Sequence, residues 1–205
     1  MPKPIVALDC DGVMLHYQSV FPAVWKEAFG EDIRVVRPTC YQATDMFGVS
    51  FKDAEHERRF YDTFDHRYWG GMTALEGALE ACELLCDSGF RLVCVTAMPA
   101  RYREARSENL QRLGFPIEDV IATGGRSDGD PNANPKLAAL QALRPVAFVD
   151  DRLDNFEGVG DLTHCAWIDG KHHDCPSAPY VERGWHHSAH GNLLDFAKMM
   201  CAERG

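Results

Sequence analysis

The sequence predicts an α/β fold, a parallel sheet flanked by helices, interrupted early by one small and mainly helical insertion. Three observations predict it. From Leu75 onward, short apolar runs of strand length alternate with stretches of helical periodicity, the pattern of a parallel sheet covered on both faces. A further strand-like run, Ile5-Val6-Ala7-Leu8, opens the chain well ahead of that series. Between the two, residues 30–74 lose the strand pattern and are crowded with aromatic and charged residues, a stretch too long for a simple loop. A chain of 205 residues has the length for one good-sized domain with a modest insertion.

The first apolar run stops abruptly at Asp9, Asp11 and Gly12. Residues i and i+2 of an extended chain point the same way, so a continued strand would aim both carboxylates at one site. Two carboxylates side by side are costly unless they hold a cation or do chemistry. Asp and Gly are also ordinary turn residues, and this segment alone fits either reading.

Residues 19–29 read as a helix with Val20, Val24 and Phe29 roughly on one side and Gly30 as its stop. The insertion is placed at residues 15–74, with a helix over 53–64, which leaves 1–14 and 75–205 as the core. Its aromatics are expected to form a small core of their own, with stacking on a base or sugar as the alternative. Residues 76–88 follow as a helix with Leu75, Leu79, Cys82 and Cys86 on one face, ended by Gly89. Then come a strand at 91–96, a helix at 101–113, a strand at 120–122, a helix at 135–143 and a strand at 146–149. A strand at 165–168 closes the series, and 192–203 is a final helix.

In open parallel sheets, ligands collect at the carboxyl ends of the strands. Here the first strand ends at Asp9-Cys10-Asp11-Gly12 and the next at Thr96-Ala97-Met98-Pro99. The loop after the third is rich in Gly, Asp and Asn and delivers Lys136 to a helix start, and the fourth ends at Asp150-Asp151-Arg152-Leu153-Asp154-Asn155. The fold would gather carboxylates, a hydroxyl and a lysine at one edge, the equipment for a phosphoryl group with a divalent cation. Each residue has a plainer role as well: Thr96 in a strand, Lys136 in solvent, Asp150 and Asp151 as helix caps. Their coincidence at one edge weighs against those roles.

Four segments, Leu8-Asp9-Cys10-Asp11-Gly12-Val13, Val95-Thr96, Pro135-Lys136 and Phe148-Val149-Asp150-Asp151, resemble in order the motifs of the haloacid dehalogenase-like (HAD) hydrolase superfamily. The resemblance covers residues 4–30 and 75–168. It implies a Rossmann-like core with a small helical cap after the first motif. It further implies an Mg²⁺-dependent phosphatase acting on a small phosphorylated metabolite through an aspartyl-phosphate. By resemblance Asp9 is the nucleophile and Asp11 the general acid and then base. Thr96 would bond a phosphoryl oxygen and Lys136 neutralise charge. The implied Mg²⁺ ligands are the Asp9 carboxylate, the Asp11 backbone carbonyl and the Asp151 carboxylate. Asp150 is then a residue behind the ligands, and Asp154 or Asn155 orients the lysine or a bound water. A second Asp in the first motif goes, in that family, with phosphate transfer. A 5'-nucleotidase, a sugar phosphomutase and a catalytically idle binding module are the alternatives.

Tyr17 and Arg58 or Arg59 are candidate substrate contacts from the insertion. Arg126 and Arg152 flank the expected site, to hold an anionic substrate or pair with nearby carboxylates. Six of the nine histidines fall between His164 and His190, in spacings that match no common zinc pattern, and a polar surface tail is expected there. A net charge of -10 argues against general binding to nucleic acid or an anionic membrane. No apolar run approaches the roughly 20 residues that span a bilayer. The N-terminus leads into a strand and not a signal-peptide core, and the eight cysteines show no CxxC pair. Thiols in a reducing cytoplasm are expected.

Overall fold

Period-two alternation divides the apolar strand residues between two cores. In the computed structural model, which describes residues 2–125, 134–169 and 185–202, Val6 and Leu8 enter one core and Ala7 the other. Leu92 and Cys94 likewise part from Val93 and Val95, and Val149 from Phe148. Both faces of the sheet are therefore buried, as the near-continuous apolar runs require.

In chain order the elements are β1 (Ile5–Leu8), β2 (Leu15–His16), α1 (Phe21–Phe29), α2 (Ala43–Phe47), α3 (Ala54–Thr63), α4 (His66–Trp69), β3 (Thr73–Ala74) and α5 (Ala78–Asp87). There follow β4 (Arg91–Thr96), α6 (Arg103–Arg112), β5 (Asp119–Ala122), α7 (Leu137–Leu143), β6 (Ala147–Asp150), β7 (His164–Ile168), β8 (Ser188–His190) and α8 (Leu193–Ala202). The main sheet has six strands in the order β5-β4-β1-β6-β7-β8, every neighbouring pair parallel. After β1 the chain lays β4 and β5 to one side, then crosses back to set β6 on the other. Strand order thus reverses at β1, where a crevice opens at the carboxyl ends.

The sheet extends one strand beyond expectation. β8 pairs with β7 through Ala166↔Ser188, Trp167↔Ala189 and Ile168↔His190. Its Ser-Ala-His sequence carries no apolar run, so nothing local announces it. The buried face of α5 is also rotated from the expected one: Ala78, Ala81, Cys82 and Leu85 are buried, while Leu79 and Cys86 are partly so. The small alanines allow α5 and α8 to lie close together in the same core.

The segment between β2 and β3 holds α1 to α4, and the two strands pair antiparallel, joining its ends at Leu15↔Ala74 and His16↔Thr73. Gly30 ends α1 in the left-handed conformation at φ 74°, and Asp53 caps α3 by accepting from the His56 backbone N–H. The aromatics pack on one another: Phe21 lies 4.7 Å from Phe60 and 5.5 Å from Phe47, and Trp25 5.9 Å from Phe60. Phe60 and Phe64 are buried. These aromatics belong to the same core that Val6 and Leu8 enter, so the expected separate core of the insertion is instead continuous with one side of the sheet. No helix among the described residues is long and apolar enough to cross a membrane.

Candidate active site

Asp9 follows β1 directly, and its backbone N–H donates to the Val149 carbonyl at 2.8 Å, which keeps it beside β6. The chain then turns. The N–H groups of Met14 and Leu15 both donate to the Cys10 carbonyl, at 2.9 and 2.8 Å. Gly12 sits at φ 87°, and a Cβ there would lie 1.9 Å from Asp151 Oδ2. Glycine is required twice over, by the backbone angle and by the space. The strand ends at Leu8 and does not continue through Asp11, yet both carboxylates face one cavity. They hold different cations: Lys136 Nζ is 2.6 Å from Asp9 Oδ1, and Arg106 Nη2 is 2.7 Å from Asp11 Oδ1.

Lys136 stands at the N-terminus of α7, fully buried. Asn134 holds its backbone, accepting from the Lys136 N–H at 2.9 Å while donating to the Asn155 carbonyl at 2.6 Å and the Glu157 carbonyl at 3.0 Å. The ammonium bridges Asp9 and Asp150, the latter also at 2.6 Å. Asp150 accepts further from the Arg152 N–H at 2.8 Å, and Asn155 Nδ2 lies 3.0 Å from both its oxygens. Asp150 is thus a fixed anchor for the lysine, and Asn155 fixes Asp150. Asp154 instead pairs with Arg152 at 2.9 Å.

Asp151 differs from Asp150. Trp167 donates to its backbone carbonyl at 3.1 Å, but its side-chain Oδ1 is buried with no hydrogen-bond partner among the described residues. Asp9, Asp150 and Asp151 present oxygens within 4.8 Å of one another, the one such grouping of metal-ligating types among the described residues. Burial pushes the Asp9 carboxyl up against the pull of Lys136. Burial, with the neighbouring carboxylates, likewise drives Asp151 well up and Asp150 to about 6. Burial would lower Lys136, but Asp150 and Asp9 outweigh it and keep the ammonium charged. Three buried carboxylates against one ammonium leave a surplus of negative charge that a cation would neutralise. The orphaned oxygen of Asp151 and the carboxylate of Asp9 fit that cation, whereas both oxygens of Asp150 are already engaged.

The cavity above this cluster measures about 250 Å³. Its core wall includes Thr96, buried at the end of β4, and Asn155, and its other wall comes from the insertion through Tyr17, Gln18, Tyr41, Gln42 and Trp69. Tyr17, expected as a substrate contact, is there, stacked 5.5 Å from Phe64. Arg152 also reaches the wall. Arg58 does not: it lies on the exposed side of α3, 4.0 Å from Glu55, while Phe60 takes the buried side. Arg59 stacks over Phe29 at 5.8 Å. Arg126 lies outside the described residues. Arg106 is the residue that sequence reasoning missed. Its signal was a helix without an apolar stripe, in which the buried face is Arg106, Asn109 and Leu110.

The family model for haloacid dehalogenase-like hydrolases matches residues 4–159, from the start of β1 to beyond the Asp150-Asp151 loop. The chain belongs to this family. A glycerol-3-phosphate phosphatase from Homo sapiens is 36% identical over 89 residues, which is 43% of this chain. The matched part spans about a quarter of that relative, 26%. Among solved structures, a HAD family hydrolase from Deinococcus radiodurans with bound phosphate and sodium has a TM-score of 0.62 at 16% identity, covering 100% of this chain and 97% of that one. A HAD phosphatase from Thermococcus onnurineus has a TM-score of 0.59 at 16% identity and covers 100% of both chains. At such identities the likeness speaks to the fold. As a haloacid dehalogenase-like hydrolase, the chain carries its four motif segments at the ends of β1, β4 and β6 and the start of α7, around one cavity.

Proposed function

We propose that the chain is an Mg²⁺-dependent phosphatase that hydrolyses a small phosphorylated metabolite with Asp9 as nucleophile. The observation that carries this reading is the buried Asp9–Lys136–Asp150 chain, with the unpartnered oxygen of Asp151 beside it, at the floor of a small cavity. A carboxylate of Asp9 attacks phosphorus, the ester P–O bond breaks, and the departing oxygen takes the proton of the Asp11 carboxyl. Water then attacks the phosphorus of the aspartyl-phosphate, gives its proton to Asp11, and the bond to Asp9 breaks to release phosphate. Lys136 holds Asp9 in place and balances charge on the phosphoryl oxygens, and Thr96 offers its hydroxyl to one of them. Mg²⁺, held by the Asp9 and Asp151 carboxylates and the Asp11 backbone carbonyl, supplies charge neutralisation and orientation of the phosphoryl group.

The insertion acts as a cap that excludes water from the cavity, and Tyr17 and Trp69 meet the leaving group from it. A volume of about 250 Å³ supports a small substrate. The relative described as a glycerol-3-phosphate phosphatase supports a polyol phosphate as the first to test. The thiols of Cys10, Cys82, Cys94 and Cys165 support a cytoplasmic protein.

The test is phosphate release from glycerol 3-phosphate, sugar phosphates, phosphoglycolate and nucleotides, each with Mg²⁺ and with a chelator. Release that needs Mg²⁺ is expected for at least one of the small esters. Isomerisation with little phosphate would make the chain a mutase, preference for nucleotides a 5'-nucleotidase, and ligand binding without turnover an idle binding module.

A further inference from the structure

Arg106 is fully buried at the middle of α6, a position where a charge needs a counterion. Its Nη2 donates to Asp11 Oδ1 at 2.7 Å. Its other contacts are soft or apolar. Nη1 lies 3.2 Å from Met72 Sδ, the guanidinium stands 5.4 Å over the Trp69 ring, and Nε has no hydrogen-bond partner among the described residues. Asp11 is therefore the carboxylate that this cation is built around. The converse also holds. Asp11 sits on a tight turn, 23% exposed on the cavity wall, and Arg106 is the cation paired with it.

Resting on the phosphatase reading above, we propose that Arg106 is a positioning residue for proton transfer: it tethers one oxygen of Asp11 so that the carboxyl stays out of the Asp9–Lys136–Asp151 cluster and faces the leaving oxygen. Arg106 touches no reacting atom. It is itself fixed by the insertion, because Asn109 donates to the Met72 carbonyl at 3.1 Å and Arg112 to the Gly70 carbonyl at 2.8 Å. The same leg of the insertion carries Trp69, which lines the cavity. One guanidinium thus stands against both Trp69 of the cavity wall and Asp11.

The experiment separates help to the leaving group from general damage. An alkoxide needs a proton to leave and p-nitrophenolate does not, and kcat/KM reports the step in which the leaving group departs. Arg106→Met keeps an unbranched apolar stem against Met72 and Trp69 but strands Asp11, so its folding is checked by thermal unfolding before rates are compared. Arg106→Lys keeps a donor of shorter reach. Relative to wild type, Arg106→Met is expected to lose at least about tenfold more kcat/KM on an alkyl phosphate than on p-nitrophenyl phosphate, with Arg106→Lys in between. Asp11→Asn should show the same selectivity, and adding Arg106→Met to it should cost little more on the alkyl ester. Equal losses on the two esters in both Arg106 variants, or full additivity with Asp11→Asn, would overturn the role of Arg106 while leaving an active wild type as a phosphatase. A wild type that hydrolyses neither ester would overturn the phosphatase reading and this inference with it.

Discussion

Lys136 holds together two carboxylates that would otherwise repel each other in a dry interior, and its loss should show in both stability and rate. Lys136→Met is expected to cost about 3–5 kcal/mol in urea unfolding, the usual penalty for stranding a buried charge. It should also lower phosphate release by about 10²–10³-fold, as for the loss of a preorganised electrostatic partner. Gly12 gives a sharper test of geometry. A Cβ at that position would meet Asp151 Oδ2 at 1.9 Å, so Gly12→Ala must displace the carboxylate that has an oxygen to offer a cation. Mg²⁺ should raise the thermal midpoint of the wild type and fail to raise that of Gly12→Ala; an equal rise in both would place the cation elsewhere. Asp9, Asp11, Thr96, Lys136 and Asp151 were legible because each lies at a strand end or helix start that its own neighbours announce. Arg106 was not, since its partner is 95 residues away and the missing apolar stripe of α6 does not say which of its charges turns inward. Arg58 shows the opposite error: charge density in the insertion suggested a contact, but α3 turns Phe60 inward and its arginines outward.

At the scale of elements, α3 stands on Phe60, which meets the rings of Phe21, Trp25 and Phe51. Phe60→Ala should cost about 3–5 kcal/mol in unfolding read by tryptophan fluorescence, with a smaller effect contradicting this ring packing. β2 carries a pH dependence. Burial pushes the His16 imidazole below its ordinary value, so the unfolded chain takes up a proton there more readily than the folded one. The contribution of His16 is present above about pH 6.5, the unfolded value, and is lost as pH falls below it. His16→Gln should accordingly narrow the difference in unfolding free energy between about pH 7.5 and pH 5.5; an unchanged difference would assign the acid sensitivity to other groups. Long elements with a glycine stop were readable, as α1 and α5 were. The five residues of α2, the four of α4 and the three of β8 are too short to display a period, and they exist because tertiary pairing holds them.

Over the whole molecule, the alternation of strands and helices made a doubly covered parallel sheet legible, but not its order. That order follows from crossovers that bury both faces of the sheet, and it is what carries four distant segments to one edge. The insertion then closes the second wall of the cavity over that edge, so fold and site are parts of one arrangement. The proposed chemistry stands on covalent attack by Asp9. Wild-type protein mixed with p-nitrophenyl phosphate and Mg²⁺, quenched in acid during turnover and digested, should yield the peptide containing Asp9 with the mass of a phosphoryl group added, and Asp9→Asn should yield neither that adduct nor free phosphate. Turnover with an unmodified Asp9 peptide, or phosphate release that survives Asp9→Asn, would contradict it.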